Sequence, residues 1–184
     1  GEGADRIELF PSYYSAGSVE IMGGEGNDSV LISPLFYTQA DIGIWGGAGS
    51  DVFAVRMGEP SAVVSIHDFS MAEGDLLDLP HGWLPSQDPF GDSGYLRLIQ
   101  AGNNTQIWYD GDGALGLPEY LHPLLILTGI DASSLDASAF VGGFDPFVTT
   151  RPVYGSELAD IIDGGALNDI IWGFGGTNII SGGP

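Results

Sequence analysis

Short apolar runs alternate with glycine-rich polar bends along the first part of the chain. Three runs, Arg6–Leu9, Ser29–Ile32 and Val52–Val55, each follow such a bend, and a second set lies at Val19–Met22 and Ile42–Trp45. Runs this short, bounded by Gly and Pro, are typical of β-strands rather than helices. The pattern therefore predicts two short strands in each repeating unit.

The bends recur at a fixed spacing. Asp5, Asp28 and Asp51 follow one another at intervals of 23 residues, and each ends a Gly-x-Gly-x-Asp segment. A fixed period of this kind predicts similar turns stacked into a solenoid. The two strands of each turn would then line up in two facing parallel sheets that share one core.

Residues 61–150 show no such period and predict a compact β region. We expect this region to cap the solenoid, because the end of a solenoid exposes strand edges and core. The chain is therefore divided into a roll at 1–60, a capping region at 61–150 and a closing array at 151–184. The candidate elements of the capping region are strands at Ala62–His67, Tyr95–Gln100, Gln106–Tyr109 and Leu124–Thr128, a hairpin turn at Gly102–Asn104 and one helical turn at Leu135–Phe140.

The closing array repeats with a shorter period. Asp160, Asp169 and Asn178 lie nine residues apart, and each is followed by two isoleucines. Nine residues make half a turn, so we expect positions 160 and 178 on one edge and position 169 on the other. One isoleucine of each pair would face outward, which suggests that this apolar face is covered, and we favour a cover within the same chain.

The composition is strongly acidic. The chain has 25 Asp and Glu against 4 Arg and no Lys, which gives a formal net charge of −21. Such a charge repels nucleic-acid phosphates and anionic membranes, and it destabilises any compact state through self-repulsion. A hydrophobic content of 43% nevertheless indicates a folded chain. Bound divalent cations are the natural means of neutralising the carboxylates.

Several kinds of chemistry are excluded by what the chain lacks. Without Cys or Lys there is no thiol nucleophile, no disulfide framework, no cysteine zinc site and no phosphate-loop lysine. The three His show no metalloprotease spacing, and no apolar run approaches the length that spans a bilayer. We find no convincing catalytic set.

Two bends match the pattern Gly-Gly-x-Gly-x-Asp-x-apolar-x in full, at Gly23–Leu31 and Gly46–Ala54. This pattern resembles the calcium-binding nonapeptide of the RTX (repeats-in-toxin) family. Gly1–Glu8 lacks only the leading Gly, whereas the closing array departs from the pattern at several positions, with Asn178 in place of an Asp.

The capping region resembles the segment that follows RTX repeats in bacterial proteins exported by type I secretion. Ser65–Phe69 and Gly74–Leu79 look like the Asp-Phe and Asp-x-Ile-Asp-Leu landmarks of that segment. Ile107–Gly113 and Leu125–Asp131 look like its later landmarks. The resemblance thus covers most of the chain.

The resemblance implies an all-β fold, a parallel β-roll (β-solenoid) with Ca²⁺ between stacked turns. Calcium takes about six to eight oxygen ligands, and glycine lets backbone carbonyls turn toward an ion. We expect one ladder of Asp5, Asp28 and Asp51 with an ion between successive members, the apolar residue two places after each Asp inside, and no ion at the opposite edge with its Pro/Tyr loops. The candidate metal ligands are Gly1, Gly3, Asp5, Gly23, Gly24, Gly26, Asp28, Gly46, Gly47, Gly49, Asp51, Asp68, Asp75, Asp160, Gly164, Asp169 and Asn178.

Two assignments stay open. Asp68, Asp75 and Asp78 would either complete the last ion site or act as solvated turn residues. Aromatic side chains would either form a sugar-binding platform or pack against the fold, and we favour packing. These aromatic residues are Trp45, Trp172, Tyr13, Tyr14 and Tyr37.

These features predict a non-catalytic calcium-binding module of a secreted bacterial protein, which folds on Ca²⁺ outside the cell and supports secretion, rigidity or surface attachment. The alternatives are an adhesive or carbohydrate-binding module and an accessory module of a secreted RTX enzyme. Expected partners are calcium ions, neighbouring modules or like copies and, for the adhesive alternative, a cell-surface glycan. Gly1 starts inside a nonapeptide, so we expect one module of a longer chain.

Overall fold

In a computed structural model, most of the regular structure in the described part of the chain is β-strand. No helix in the described part of the chain is long and apolar enough to cross a membrane. The structure describes residues 1–10, 16–33, 39–56, 63–80, 88–90, 94–111, 121–147, 150–154, 158–159, 161–163, 168–173 and 175–181.

Fourteen strands and two 3₁₀ turns are assigned within these ranges. The strands are β1 (Arg6–Leu9), β2 (Ala16–Glu25), β3 (Ser29–Ile32), β4 (Gln39–Ala48), β5 (Val52–Val55), β6 (Val63–Ile66), β7 (Leu76–Asp78), β8 (Leu96–Ala101), β9 (Asn104–Asp110), β10 (Leu121–Leu127), β11 (Thr150–Tyr154), β12 (Ile161–Asp163), β13 (Asn168–Trp172) and β14 (Ile179–Ser181). The 3₁₀ turns are Ala132–Ser134 and Ala137–Ala139.

Two parallel sheets form the roll, as the 23-residue period predicts. One sheet has the order β1-β3-β5-β7, and the other begins β2-β4-β6. The pairs Arg6↔Ser29 and Ser29↔Val52 are in register with the period. The ladder between β2 and β4 extends into the bends, where Gly24 pairs with Gly47. These two strands are therefore longer than the apolar runs that predicted them.

The core of the roll lies between the two sheets. Val30 and Phe53, each two positions after an Asp of the ladder, are fully buried, which confirms the predicted inward direction. Ile44 and Ile66 on the facing sheet are also fully buried. Alternate residues of β3 are buried, as expected for a pleated strand with one covered face, whereas Phe53, Ala54 and Val55 of β5 are all buried.

The parallel stack continues beyond residue 60, where the roll was predicted to end. Strand β6 pairs in parallel with β4, and β7 pairs in parallel with β5. The segment from Val63 to Asp78 keeps the strand–bend–strand plan although its bend has lost the glycine pattern. The predicted boundary therefore does not coincide with the end of the parallel sheets.

An antiparallel unit extends the second sheet beyond the parallel stack. Strand β10 pairs in parallel with β6, and β8, β9 and β10 are antiparallel neighbours. The turn between β8 and β9 has Ala101 opposite Asn104, which confirms the predicted hairpin. At the end of the other sheet, Phe140 bridges to Leu77. The exposed strand edge that a solenoid end would leave is thus paired within the described region.

The closing array forms two small parallel sheets, β11-β13 and β12-β14. Ile161 pairs with Ile179, so residues 18 apart stack and β13 lies in the other sheet, as the nine-residue period predicts. The side chain of Ile161 is 85% exposed and that of Ile179 65% exposed. These isoleucines confirm an outward apolar face. Ile180, the member of its pair that was expected to face inward, is also 49% exposed, so that part of the prediction is wrong. An intramolecular cover over the face stays a prediction.

Replacing Leu127 with Ala should lower the free energy of unfolding by about 2–5 kcal/mol, the usual cost of deleting a fully buried leucine side chain. Leu127 is fully buried on β10, beside β6. Urea unfolding of the calcium-saturated chain, followed by circular dichroism and by tryptophan fluorescence, should give coincident transitions. The partly exposed Ile99 on β8 is the control, and Ile99→Ala should cost less than about 1 kcal/mol. Two separate transitions would show that the hairpin is not part of the roll.

Candidate calcium sites

A ladder of aspartates runs through the stacked bends. The backbone N–H of Asp5 donates to Oδ1 of Asp28 at 2.8 Å, and the N–H of Asp28 donates to Oδ1 of Asp51 at 2.7 Å. The N–H of Asp51 donates in turn to Oδ1 of Asp75 at 2.9 Å. The predicted ladder of three therefore has a fourth member. In each pair, Oδ1 of the aspartate in one bend accepts the backbone N–H of the aspartate in the preceding bend and so fixes that bend.

The second carboxylate oxygen of two ladder members has no hydrogen-bond donor. Oδ2 of Asp28 and Oδ2 of Asp51 are buried without a partner, and both side chains are almost fully buried. A buried acceptor left unsatisfied costs about 1–3 kcal/mol, and more for a charged group. These two oxygens therefore lack a partner within the described part of the chain, and a bound cation would supply one.

Glycine makes room for these oxygens. A β-carbon on Gly23 would lie 2.3 Å from Oδ2 of Asp28 and 2.4 Å from the carbonyl oxygen of Gly46. A β-carbon on Gly46 would lie 2.1 Å from Oδ2 of Asp51. A side chain at either glycine would thus fill the space that the unpartnered oxygens face. The leading Gly of the nonapeptide is explained by this close approach.

The second Gly of each bend is required for a different reason, namely its backbone conformation and its close contact with the neighbouring turn. Gly24 and Gly47 adopt φ of 115° and 100°, which side chains disfavour. A β-carbon on Gly47 would also lie 1.9 Å from the carbonyl oxygen of Gly24 in the turn before. Gly26 and Gly49 show the same positive φ. The turns therefore stack backbone against backbone, and only glycine permits that spacing.

The first bend is less enclosed than the two that follow it. The carboxylate of Asp5 is 47% exposed, and the amino group of Gly1 lies 3.4 Å from its Oδ2. Gly3 has φ of 101°, like Gly26 and Gly49, but a β-carbon there would meet nothing within 4 Å. Asp5 thus has the geometry of a ladder member without its burial.

The donor set fits a hard cation such as calcium. No group of three or more acidic or histidine side chains within the described ranges is placed to hold a metal ion. An ion at Asp28 or Asp51 would therefore be bound by one carboxylate oxygen together with backbone carbonyl oxygens. Oxygen-only ligation, with several neutral oxygens, is what Ca²⁺ accepts and what zinc-type sites do not use.

Asp68 and Asp75 have hydrogen-bonded roles at the last bend of the stack. Asp68 accepts the N–H of Gly46 and of Gly47, both at 2.9 Å, one on each carboxylate oxygen. Oδ2 of Asp75 accepts the N–H of Ser70 at 2.8 Å. Both carboxylates therefore cap backbone donors, a role that neither of the predicted alternatives included. A calcium-ligand role for them stays a prediction.

Asp78, which the sequence left as either an ion ligand or a solvated turn residue, takes part in an ion pair. Its Oδ2 lies 2.6 Å from the guanidinium of Arg56. The same guanidinium donates to the carbonyl oxygen of Asp78 at 3.1 Å. Asp78 therefore lies in β7 and is paired with Arg56 rather than being a free turn residue, and a calcium-ligand role for it stays a prediction.

A second polar ladder was not predicted. The N–H of Ser50 donates to Oδ1 of Asn27 at 2.9 Å, and the Ser50 hydroxyl donates to the carbonyl oxygen of Gly74 at 2.6 Å. These residues precede the ladder aspartates Asp28, Asp51 and Asp75 by one position. The sequence signal that could have predicted this ladder is the small polar residue directly before the Asp in two successive bends, Asn27 and Ser50.

The closing array is described only in part. Asn178 donates from Nδ2 to the carbonyl oxygens of Gly173 and Gly175 at 2.7 and 3.1 Å. Asp169 lies in β13, where its backbone pairs with Arg151. Asp160 and Gly164 fall outside the described residues, so their predicted ligand roles stay predictions.

The indole of Trp45 packs against the outer side of the second sheet. It stacks on the imidazole of His67 with ring centroids 4.3 Å apart, and a β-carbon on Gly43 would lie 3.0 Å from its ring. This arrangement agrees with the packing interpretation. Tyr13, Tyr14 and Tyr37 lie outside the described residues.

Burial and neighbouring charges act together on the ladder carboxylates. Burial raises the pKa of Asp51, the hydrogen bond from the N–H of Asp28 lowers it, and the negative charges of Asp28 and Asp68 raise it further. Burial is also the main cause that raises the pKa of Asp75. The ionised forms of Asp51 and Asp75 are therefore disfavoured in the metal-free chain, and a cation bound near them would relieve this.

A family model matches the chain at residues 15–31 and 154–184, and it describes the RTX calcium-binding nonapeptide repeat in four copies. The chain thus carries RTX nonapeptide repeats. A search of curated proteins found no significant match.

Two solution structures of subunits of a mannuronan C5-epimerase from Azotobacter vinelandii are similar to the chain. AlgE6R3 is 22% identical with a TM-score of 0.26, over 77% of this chain and 80% of that one. AlgE6R2 is 18% identical with a TM-score of 0.26, over 71% of this chain and 93% of that one. Both TM-scores are low, so the β-roll described above rests on the chain's own strand pairing.

With calcium removed by a chelator, lowering the pH from 7 toward 3.8, the ordinary value for Asp, should stabilise the folded chain through Asp51. A folded-state pKa that is raised favours the folded state where the group is protonated, and this contribution is lost as the pH rises through the raised value. Urea unfolding at several pH values measures the slope, and Asp51→Asn should flatten it. Identical slopes for the variant and the wild type would contradict this assignment.

Proposed function

We propose that this chain, whose repeats are RTX calcium-binding nonapeptides, is a structural module that is completed by calcium. The observation that carries the proposal is the pair of buried, unpartnered Oδ2 atoms on Asp28 and Asp51. Each faces a glycine whose missing side chain leaves space for it. Bound Ca²⁺ would supply the positive charge that these carboxylates lack.

The residues that would hold the ions come from neighbouring bends. Oδ2 of Asp28 and the carbonyl oxygen of Gly46 both face the space beside Gly23, and Oδ2 of Asp51 faces the space beside Gly46. The remaining ligands would be carbonyl oxygens of the same bends, freed by their glycines. Each ion would then join two successive turns of the roll, so that binding and stacking are one event.

The charge of the chain supports coupling of folding to metal binding. A net charge of −21 and 30 glycines make the metal-free compact state costly, through repulsion and through the entropy of ordering. A ligand that binds only the folded state stabilises it by about 2.7 kcal/mol at 100 times its dissociation constant. We therefore propose that the module is unfolded where calcium is scarce and folds where calcium is abundant.

Export and localisation follow as part of the proposal. RTX repeats are typical of secreted proteins, and an extracellular medium supplies the calcium that folding would need. The absence of Cys suits export without disulfide formation. We propose a secreted, non-catalytic module that supports export, rigidity or surface attachment of a bacterial protein.

The alternatives have weaker support. Trp45 packs over Gly43 and on His67, which does not favour a free aromatic platform for a glycan. A role as an accessory module of a secreted enzyme is compatible with the same calcium-dependent fold. Glycan binding and an enzyme partner stay predictions of those alternatives.

The direct test is a titration of the purified chain in a chelator with Ca²⁺ and, separately, Mg²⁺, followed by far-UV circular dichroism. We expect a coil-to-β transition with Ca²⁺ that Mg²⁺ does not produce, because Mg²⁺ demands a smaller octahedral site and keeps its water. Asp28→Ala should weaken the response to calcium at least tenfold. Asp41→Ala, which removes an exposed carboxylate from β4, is the matched control and should leave it unchanged.

A chain that is fully folded in the chelator, with the same stability after calcium is added, would contradict the proposal. Equal loss of calcium response in Asp28→Ala and Asp41→Ala would instead show that only the total charge matters.

A further inference from the structure

The last described bend, which includes Gly173 and residues 175–178, is closed by hydrogen bonds from the side-chain amide of Asn178. Nδ2 of Asn178 donates to the carbonyl oxygen of Gly173 at 2.7 Å and to that of Gly175 at 3.1 Å. Both acceptors belong to the same bend as the Asn. The bend is therefore hydrogen-bonded within itself at the position where the RTX pattern has an Asp.

The amide nitrogen occupies the place that a carboxylate oxygen has in the first roll. A β-carbon on Gly173 would lie 2.8 Å from Nδ2 of Asn178. A β-carbon on Gly23 would lie 2.3 Å from Oδ2 of Asp28, and one on Gly46 would lie 2.1 Å from Oδ2 of Asp51. The three side chains thus approach the leading Gly of their bends in the same way, and they differ in the atom that they present.

The orientation of the Asn178 amide follows from its neighbours. Two carbonyl oxygens accept hydrogen bonds only from donors, and the NH₂ group of Asn supplies two N–H donors. The reverse orientation would direct Oδ1 at two other acceptor oxygens, neither of which can donate a hydrogen bond to it. The hydrogen-bond network therefore places the nitrogen, and not the oxygen, toward Gly173 and Gly175.

We propose that the amide of Asn178 takes the place of a bound cation, so that this bend closes without metal. In the bends of Asp28 and Asp51 a buried oxygen has no donor and needs a positive partner. In the bend of Asn178 two amide hydrogens supply the positive ends of the dipoles, and the side chain carries no charge to bury. The inference rests on the proposed function, in which the aspartate bends bind calcium.

Asn178 was among the residues expected to bind calcium. As a weak calcium ligand, it would have to direct its oxygen toward the ion and keep the carbonyl groups free for it. Instead, both carbonyls of the bend already accept hydrogen bonds from the amide. On this proposal the bend of Asn178 contributes no calcium site.

The test is the full chain with Asn178→Asp. The carboxylate removes both amide donors and restores the acceptor-only bend of Asp28 and Asp51. We expect one additional Ca²⁺ per chain in equilibrium dialysis, and a lower thermal midpoint of unfolding in the chelator. Thr177→Asp is the matched control, because it adds the same charge at an exposed neighbouring position without replacing the amide. It should bind no additional ion.

The reciprocal exchange tests the same idea in the first roll. Asp51→Asn should lose one Ca²⁺ per chain and raise the thermal midpoint in the chelator, because an amide would supply donors where Oδ2 has none. This variant keeps the inference testable if Asn178→Asp does not fold.

These measurements distinguish failure of calcium binding by the whole chain from failure of the metal-free closure proposed for the Asn178 bend. A wild-type chain that binds no calcium would overturn the proposed function, and the inference with it. Calcium binding by the wild type, with no additional ion in Asn178→Asp, would overturn the inference alone. An equal gain in Thr177→Asp would also overturn it, because added charge would then suffice.

Discussion

The fold depends on how oxygen atoms that face one another in stacked bends are satisfied. Beside Gly23, Oδ2 of Asp28 lies close to the carbonyl oxygen of Gly46, and beside Gly46 lies Oδ2 of Asp51. Buried oxygens without donors, as these two carboxylate oxygens are, are costly. The glycines allow this close approach, and the strands on either side place the next bend in register with it. A cation bound between bends would neutralise the buried, unsatisfied carboxylate oxygens and would at the same time join successive turns of the roll.

Three different partners satisfy the equivalent position along the chain. Calcium is the partner proposed at Asp28 and Asp51, where the second carboxylate oxygen has no donor. Where the parallel stack ends, a backbone N–H from Ser70 satisfies the corresponding oxygen of Asp75. At Asn178, in the last bend of the closing array, an amide stands in place of the carboxylate. If the proposed ions bind, calcium dependence would therefore vary from bend to bend and would not follow from the number of repeats.

The 23-residue period predicted much of the roll because backbone stacking imposes that period directly. Strands β1, β3 and β5 fall at the predicted bounds, since a Gly and an Asp mark the start of each. The continuation into β6 and β7 was missed because their bend has no glycine pattern, and Asp68 supplies side-chain acceptors instead. The role of Asn178 depends on which atom of its amide faces the bend, and a sequence motif does not specify that.

Crystals grown with calcium would test the central claim most directly, through anomalous scattering from the ions. The account predicts anomalous peaks at about 2.3–2.6 Å from Oδ2 of Asp28 and of Asp51, each also bound by carbonyl oxygens of the bends. It predicts no peak between Asn178 and Gly173. Anomalous peaks only at other positions, or a hydrogen-bond donor at each Oδ2 in place of an ion, would contradict it.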